Sequence, residues 1–338
     1  MNKLKKILPD FLVTKLVEVR YLIRLKRIYA TDQKRFYEYS AHESDIRNSG
    51  NINSKLMYFT HQIEKGLSHE DFRKGFGRQV VSNLVEMLVL AKKDPDVYQN
   101  FFYQEGLSAL KAYKEKHESV TLAENESIPN FDLVPANIKE EISKIPSSSG
   151  VVNLNTQHKQ NNNNIDFKTL ALNRFSVRNF QKNASVEIEK IKEAIQISIK
   201  SPSVCNRQPA RVKVITNQDL ISRLLQLQGG FKGYNQPDKL LLITSDVTAF
   251  LRMEERNQAF IDGGLFSMSI LYSLEYQGIG ACALSTNVSL DKAKLIREIL
   301  RIPENEVLIM FIACGKMEEE VLVPKSNRNS VDRITKIY

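Results

Sequence analysis

Two arginines and a serine alternate with apolar residues near the middle of the chain, in the order Arg174, Phe175, Ser176, Val177, Arg178. In an extended chain, side chains two residues apart lie on the same side, about 6.5–7 Å from each other. Two guanidinium groups and a hydroxyl would then face one way, which suits a phosphate monoester. Phe175 and Val177 would anchor the opposite side. An exposed basic strand edge would show the same pattern, so the motif alone leaves both interpretations open.

A polar loop bounded by two prolines follows a helical pattern of isoleucines. Pro202 is expected to end that helix, and the proline at position 209 is expected to hold Gln208 in an extended conformation. Ser203, Asn206 and Gln208 lie in this loop, and their hydroxyl and amide groups match the donor and acceptor edge of a flat heterocycle. The alternative is a well-capped turn without a ligand.

Five blocks occur in the order and spacing of one known family. They are residues 174–178, the loop 201–209 (SPSVCNRQP), residues 261–265 (IDGGL) at the start of a long apolar helix, residues 276–285 (YQGIGACALS) and residues 324–328 (PKSNR). Together they resemble the nitroreductase family of FMN-dependent oxidoreductases, and the resemblance covers nearly the whole C-terminal half.

The resemblance implies a site for FMN. The first block would bind the FMN phosphate and the pyrimidine side of the flavin, the proline-bounded loop would reach the flavin partly from the partner subunit, and the last block would close on the phosphate. Backbone N–H groups after the long helix would approach flavin N5. The residues predicted to bind the cofactor are Arg174, Ser176, Arg178, Pro202, Ser203, Asn206, Gln208, Leu284, Ser285, Thr286 and Arg328.

The redox chemistry in such a site belongs to the flavin, while the protein supplies position and charge. Reduced FMN tends to be anionic at N1, so a cation near N1 and O2 stabilises it. Arg178 is the first candidate for this cation, and Arg207 is the second. No acid, base or nucleophile is obligatory, so the sequence names no catalytic side chain and no metal ligand.

The chain departs from the family pattern at two places. Ala210 follows the QP of the loop, where the family often has an aromatic residue. Ser326 stands where the family often has the first of two C-terminal cations, with Lys325 next to it. Phosphate binding should survive on Arg174, Arg178 and Arg328.

Three functions are therefore weighed. The first is an FMN-dependent oxidoreductase, a homodimer with FMN at the interface, that transfers hydride from NAD(P)H or another donor to a small organic acceptor. The second is an FMN enzyme dedicated to one biosynthetic intermediate, such as one of surface-polysaccharide synthesis. The third is a non-catalytic basic protein that binds membrane or nucleic acid. Without a GxGxxG motif the sequence does not choose between NADH and NADPH.

A second polar cluster lies in the N-terminal half, at residues 61–68 (HQIEKGLS) and 73–77 (RKGFG). It resembles a segment of nitroreductase-like proteins that carry an extra N-terminal helical region. A metal site at His61, Glu64 and His69 is disfavoured, since HxxE is common and no further ligand is suitably spaced. A structural or substrate-contacting role is favoured, with tight turns near the active site at Gly66, Gly75 and Gly77.

Hydrophobic periodicity predicts the elements that position these residues. Residues 1–145 form a mostly helical region, residues 146–165 a linker or long surface loop, and residues 166–338 a further domain, which the resemblance identifies as the FMN domain. Strands mixed with packed helices predict an α/β or α+β domain. The resemblance implies the α+β (α/β/α) fold with a mixed central sheet. The helices are expected at 82–93, 107–117, 137–145, 187–200, 219–226, 258–276 and 291–300, and the strands at 212–216, 240–244, 278–284 and 307–314.

Charge and cysteine content narrow the function further. The net charge is +9, and residues 1–40 hold ten Lys/Arg against four Asp/Glu, so +6 of it lies there. A basic amphipathic helix docked on its own protein is the favoured interpretation, with peripheral membrane contact as the alternative. Nucleic-acid-binding patterns are absent from the sequence. Three cysteines without CxxC spacing, no apolar span and no signal-peptide pattern predict a cytoplasmic protein. Cys205, in the proline-bounded loop, is expected to be a packed residue, with a redox-active thiol as the alternative, which no resolving partner in the sequence supports.

Overall fold

A computed structural model describes residues 9–40, 46–120 and 127–338 of the chain. Its helices are α1 Asp10–Tyr39, α2 Ser49–Leu67, α3 Arg78–Ala91, α4 Phe101–Val120, α5 Ala136–Lys144, α6 Phe167–Asn173, α7 Ile188–Ser198, α8 Gln218–Gln228, α9 Gln258–Tyr276, α10 Leu290–Leu300 and α11 Val331–Ile334. Its strands are β1 Val151–Asn155, β2 Ala210–Ile215, β3 Lys239–Asp246, β4 Gly280–Ser285, β5 Glu306–Gly315 and β6 Glu320–Pro324.

Helices α2 to α5 form a bundle with a core of its own. Leu56, Ile63 and Leu67 of α2 repeat at intervals close to whole helical turns, and all are buried against α3 and α4. Gly106 of α4 lets these helices approach closely, because a Cβ there would lie 3.2 Å from a methyl group of Leu88. The predicted helical N-terminal region is confirmed.

The main sheet has the strand order β2-β3-β5-β4. Every strand pair within the described residues is antiparallel, whereas a mixed sheet was predicted. The alternation of strands and helices favoured parallel crossovers. Here, however, α8 leads away from the end of β2 and the loop 229–238 returns the chain to the same edge of the sheet, so β3 runs back beside β2.

Helices cover both faces of this sheet. Leu240 and Leu242 of β3 face a core shared with α8 and α10, while Leu241 and Ile243 face a core shared with α7 and α9. This two-residue alternation is that of a strand buried on both sides. The predicted α+β class, with its α/β/α layering, is confirmed.

The segment predicted as a linker is largely structured. β1 pairs with β6 in a separate two-stranded sheet, where Val152 lies opposite Val323. A 3-10 segment follows over Gln157–Asn164, and within it the buried ammonium of Lys159 pairs with the buried carboxylate of Glu275 at the end of α9. The low apolar content was misleading because a buried ion pair and backbone pairing, rather than a hydrophobic face, hold this segment in place.

Helix α1 is attached differently from the rest. None of its thirty residues, all of which the structure describes, is buried. Its side chain Asp32 accepts a 2.6 Å hydrogen bond from Nε of Arg256, and Leu25 and Ile28 are partly covered. The predicted basic helix is therefore present, but it lies at the edge of the protein.

Candidate functional site

The segment with alternating arginines lies beside the edge strand β4. The N–H of Val177 donates to the carbonyl of Ala281 at 3.0 Å, which holds the segment along the strand. Val177 is buried in the core and Phe175 packs against it, as predicted. Arg174 and Ser176 lie on the other side.

Arg174 and Ser176 line a cavity of about 470 Å³. The opposite wall is the C-terminal segment, which brings Lys325 and Arg328 to the same cavity. The guanidinium of Arg328 also donates to the carbonyl of Ser326. Three cations and a serine hydroxyl around one cavity form a donor set for a phosphate group.

Arg178 lies further inside and is only 7% exposed. Its Nη1 donates to the carbonyl of Ser176 at 3.3 Å, but its buried Nε has no hydrogen-bond partner among the described residues. No ion pair joins this guanidinium to a carboxylate of the described chain. A buried cation without an internal counter-charge is unfavourable, so this position is suited to an electron-rich or anionic ligand.

Two buried carboxylates of the helical bundle hold the C-terminal segment, a contact that no sequence motif indicated. Glu64 of α2 is 2% exposed and accepts hydrogen bonds from the backbone N–H of Gly150 at 3.2 Å and of Ser326 at 3.3 Å. Glu105 of α4 accepts from Nδ2 of Asn327 at 2.9 Å. Ser326 has φ +49°, so this segment turns sharply where it passes Glu64.

The proline-bounded loop lines a different cavity, of about 400 Å³, together with α7 and α9. Pro202, Ser203 and Gln208 are in its wall, whereas Asn206 is exposed. The prediction that Gln208 is extended is wrong, since its φ is +51°. Its N–H donates to the Ser203 hydroxyl at 2.9 Å, and this bond turns the chain back on itself before Pro209.

Left-handed backbone is concentrated in this loop, with φ of +47° at Cys205 and +55° at Asn206 as well. Such conformations are costly for residues other than glycine and occur often at functional sites. The prediction that Cys205 is packed is wrong, because it is exposed. The tight left-handed turn leaves its side chain outside the core.

Arg207, the second candidate for the cation near flavin N1 and O2, already forms an ion pair within the chain. Its guanidinium binds both carboxylate oxygens of Glu255, at 2.6 and 3.1 Å. The hydrogen bonds from Arg207 lower the pKa of Glu255 to about 2. This bidentate pair fixes the loop, so Arg178 remains the stronger candidate for a ligand contact.

The end of β4 contributes the last predicted residues. Leu284 is buried, Thr286 is half-buried with its hydroxyl donating to the carbonyl of Ile309 at 3.0 Å, and Ser285 is exposed. The Ser285 carbonyl accepts from the Gln228 side chain at 3.1 Å. These residues lie on the strand beside which Arg174, Ser176 and Arg178 run.

A single chain does not bring all the predicted residues together. The cavity at Arg174 includes Met268 and Tyr272 of α9, and the cavity at Gln208 includes Asp262 and Phe266 of α9. At 100° per residue these two pairs lie on different faces of the helix. The predicted set is therefore divided between two cavities.

The three residues considered for a metal site do not come together. Nδ1 of His61 lies 3.8 Å from Glu64, while His69 packs elsewhere, stacked on Tyr234 with ring centroids 4.1 Å apart. The described residues contain no group of three or more His, Cys, Asp or Glu side chains that could hold a metal ion. Of the three glycines predicted at turns, Gly75 and Gly77 have positive φ, and Gly66 instead lies inside α2.

Comparison with known proteins places the C-terminal region in a family. Residues 171–316 match the model of the nitroreductase family. The chain is 26% identical over 204 residues to the iodotyrosine dehalogenase 1 homolog of Caenorhabditis elegans. That alignment covers 52% of this chain and 62% of the relative, so less than two thirds of the relative's length is matched.

Solved structures give similarities over about half of the chain. A nitroreductase family protein from Streptococcus pneumoniae TIGR4 is 18% identical, with a TM-score of 0.45, covering 51% of this chain and 100% of that one. A nitroreductase family protein from Clostridium difficile 630 is 21% identical, with a TM-score of 0.42, covering 51% and 98%.

Fold and site define an α+β domain with an arginine-lined cavity at the edge of its sheet. Residues 171–316 match the nitroreductase family model, which confirms the resemblance, and the helical region α1 to α5 precedes the matched residues. This assignment supports flavin-dependent oxidoreduction.

Proposed function

We propose that this protein is an FMN-dependent oxidoreductase that transfers hydride from NAD(P)H or another reduced donor to a small organic acceptor. The observation that carries the proposal is the cavity of about 470 Å³ lined by Arg174, Ser176, Lys325 and Arg328. Arg178 follows Arg174 by four residues, is buried, and has no hydrogen-bond partner for its Nε among the described residues. A ligand with a phosphate at one end and an electron-rich ring edge at the other fits these two positions.

The residues have separate parts in this scheme. Arg174, Ser176 and Arg328 bind the phosphate, and Arg178 supplies positive charge to the ring. Leu284, Ser285 and Thr286, at the end of β4, position the ring through their backbone. When bound, FMN supplies the redox chemistry. No acid or base of the chain is needed for hydride transfer itself.

A homodimer is part of the proposal. Phe260, Ile261 and Leu265 of α9 are each about half exposed, which is unusual for the central helix of a domain. They lie on α9 close to the loop that contains Pro202, Ser203, Asn206 and Gln208. A second copy packed on this face would cover these side chains and could bring its loop to the cavity at Arg174.

The absorption spectrum of the purified protein tests the function first. We expect flavin bands and FMN in the supernatant after denaturation. Arg174→Ala and Arg178→Ala should each weaken FMN binding about 10- to 100-fold, because each removes a charge-assisted contact. Arg223→Ala, an exposed arginine on α8, is the control and should leave the affinity unchanged. A colourless protein that does not take up added FMN would refute the oxidoreductase proposal.

A more specialised activity is the second candidate: an FMN enzyme for one biosynthetic intermediate. The observation in its favour is the packing of Glu64 and Glu105 against the wall of the phosphate cavity, which lets the helical bundle restrict what enters. Turnover of simple nitroaromatics and quinones separates the two activities. Rapid turnover favours a general reductase, and slow turnover by FMN-loaded protein favours a dedicated enzyme.

A binding role for the N-terminal segment remains a prediction. Helix α1 is basic and exposes apolar side chains along its length. No helix in the described part of the chain is long and apolar enough to cross a membrane. Cosedimentation with anionic vesicles, compared between the full chain and a chain that lacks residues 1–40, tests peripheral contact.

A further inference from the structure

The C-terminal end of α2 reaches the flavin domain from outside the family match. The side-chain amide of Asn179, the residue after Arg178, donates to the carbonyl of Ser68 at 2.8 Å. The Tyr234 hydroxyl donates to the carbonyl of Lys65 at 2.9 Å and lies 3.1 Å from the Ser68 hydroxyl. His69 Nδ1 lies 2.8 Å from the carbonyl of Gly233. Four direct contacts therefore fix this turn beside Arg178.

Lys65 extends from this turn into the domain. Its ammonium donates to the carbonyl of Gly230 at 2.9 Å, and the residue is half-buried. Burial lowers the pKa of Lys65, and the positive charge of Arg178 lowers the pKa further. Two cations thus lie close to each other, and neither forms an ion pair with a carboxylate of the described residues.

The other titratable groups at this place supply no negative charge. Burial raises the pKa of the Cys282 thiol on β4, which faces both Lys65 and Arg178. Burial also raises the pKa of the Tyr234 hydroxyl, and burial lowers the pKa of His69. At neutral pH these groups are uncharged. Among the described residues, therefore, none of these groups provides a negative charge to offset Lys65 and Arg178.

Lys65 and Arg178 lie outside the cavity of about 470 Å³ that is proposed to hold the phosphate. Arg174, Lys325 and Arg328 line that cavity, whereas Lys65 and Arg178 do not. Arg178 follows Arg174 by four residues along β4 and lies deeper. A ligand that binds its phosphate at Arg174 would have its second electron-rich part near Lys65 and Arg178.

We propose that the last turn of α2 is a wall of the flavin site, and that Lys65 with Arg178 supplies the positive charge for the N1 and O2 edge of the flavin. The inference rests on the proposed FMN site. It adds a cofactor-binding residue from the helical region and makes that region necessary for the cofactor's affinity and potential. Positive charge at this edge stabilises reduced flavin, which is anionic at N1, more than oxidised flavin.

The test compares Lys65→Gln, Lys65→Arg and the control Lys93→Gln. Lys93 is an exposed lysine just after α3, so its replacement makes the same change in net charge away from the site. Lys65→Gln keeps a donor for the Gly230 carbonyl. We expect the FMN dissociation constant to rise about tenfold in Lys65→Gln. It should change little in Lys65→Arg and not at all in Lys93→Gln.

The midpoint potential separates a charge effect from a structural one. If Lys65 favours reduced over oxidised flavin about tenfold, Lys65→Gln should lower the two-electron potential by about 30 mV. Lys65→Arg should restore it. A weakened affinity with an unchanged potential would show that Lys65 only docks the helix, and would overturn its assignment to the N1 edge.

Riboflavin has the ring of FMN but lacks its phosphate, so its affinity shows which of the two Lys65 contacts. The loss in Lys65→Gln should be the same for riboflavin and for FMN if Lys65 acts on the ring. A loss with FMN alone would assign Lys65 to the phosphate and overturn the proposal.

Hydrogen exchange of the wild-type protein gives a check that needs no variant, in case Lys65→Gln folds poorly. FMN should slow exchange in residues 61–69 and leave α3 unchanged. If FMN binds without this protection, the inference fails while the proposed function stands. If the wild type binds no FMN, the proposed function itself fails.

Discussion

Two helices that precede the family domain, α1 and α2, are attached to it in different ways. α1 has thirty residues and none of them is buried, whereas α2 has nineteen and buries seven. α1 is joined to the domain by the ion pairs of Asp32 with Arg256 and of Arg24 with Glu254, the second at 3.6 Å between exposed groups. α2 is joined through buried hydrogen bonds to residues far away in the sequence.

This difference in burial indicates that α2, rather than α1, is structurally coupled to the cavity at Arg174. The pair of Arg24 with Glu254 is exposed, and such ion pairs contribute little to stability and are screened by salt. The pair of Asp32 with Arg256 is partly covered, but it joins two single side chains. Glu64, in contrast, is buried and accepts hydrogen bonds from the backbone N–H groups of Gly150 and Ser326. Because Ser326 lines the cavity at Arg174, α2 and this wall of the cavity must form together. We therefore expect substitutions in α2 to affect folding and FMN binding, and substitutions in α1 to affect neither.

The largest effect is expected for Glu64→Ala. The substitution leaves the buried N–H of Gly150 and the partly buried N–H of Ser326 without an acceptor, which should lower the free energy of unfolding by about 2–4 kcal/mol. Loosening of the segment around Ser326 should also weaken FMN binding. Urea unfolding and FMN titration measure the two effects.

The control in α1 is Glu38→Ala, which removes a carboxylate that lies 3.6 Å from Lys34 on an exposed face. Its effect should stay within about 0.5 kcal/mol. Equal losses in Glu38→Ala and Glu64→Ala would mean that the two helices are equally integrated, contrary to the comparison.

A somewhat smaller loss is expected for Gly66→Ala in α2. A Cβ at this position would lie 1.9 Å from a ring carbon of Phe76, so the ring or the helix must move. Overpacking of this kind costs about 1–3 kcal/mol, against a gain of at most about 1 kcal/mol in helix propensity. Thermal unfolding should show a net loss. Ala30→Leu, which enlarges an exposed side chain of α1, should leave the transition unchanged.

Much of the fold could be predicted from the sequence because the signals are local. The apolar residues of α9 predicted its bounds as observed, Gln258–Tyr276. β1 was missed since it is short and contains two asparagines, and its partner β6 is more than 160 residues away. α2 was not recognised because it buries Asn51, Thr60 and Glu64 on the face that should be apolar.

The residues of the candidate site also separate into those with a local sequence signal and those that depend on tertiary packing. Arg174, Ser176 and Arg178 were recognised because one extended segment carries them. The position of Lys65 beside Gly230, from which we infer its role, could not be foreseen, because Gly230 is 165 residues away and only tertiary packing brings them together. The φ of Gln208 was also beyond prediction, since it depends on a hydrogen bond to Ser203 rather than on the following proline.

A local effect is expected for Arg256→Ala, which removes the ion pair with Asp32. Limited proteolysis should cut α1 faster, and the unfolding transition of the rest of the protein should not move. High salt should have a similar effect on the wild type, since at 1 M the screening length is about 3 Å. A shift of the main transition would indicate that α1 is part of the folded core after all.

The smallest effect is a response of α1 to acid. The hydrogen bond from Arg256 lowers the pKa of Asp32 below its ordinary value of 3.8. A lowered pKa in the folded state means that the pair stabilises the docked helix above that ordinary value, and that this contribution is lost as the pH falls through the lowered pKa. The docking of α1 should therefore be constant between pH 8 and pH 5 and weaken only below about pH 4.

A fluorophore on Thr31→Cys, in a Cys205→Ser background that removes the exposed thiol, reports this docking through its anisotropy. The anisotropy should fall in acid before the main unfolding transition, because only an ion pair at the surface is being titrated. Asp32→Asn should abolish the acid step and give the low value at every pH. If the step persists in Asp32→Asn, or if α1 is released only when α2 unfolds, then contacts other than this ion pair hold α1, and the division between the two helices is smaller than their burial implies.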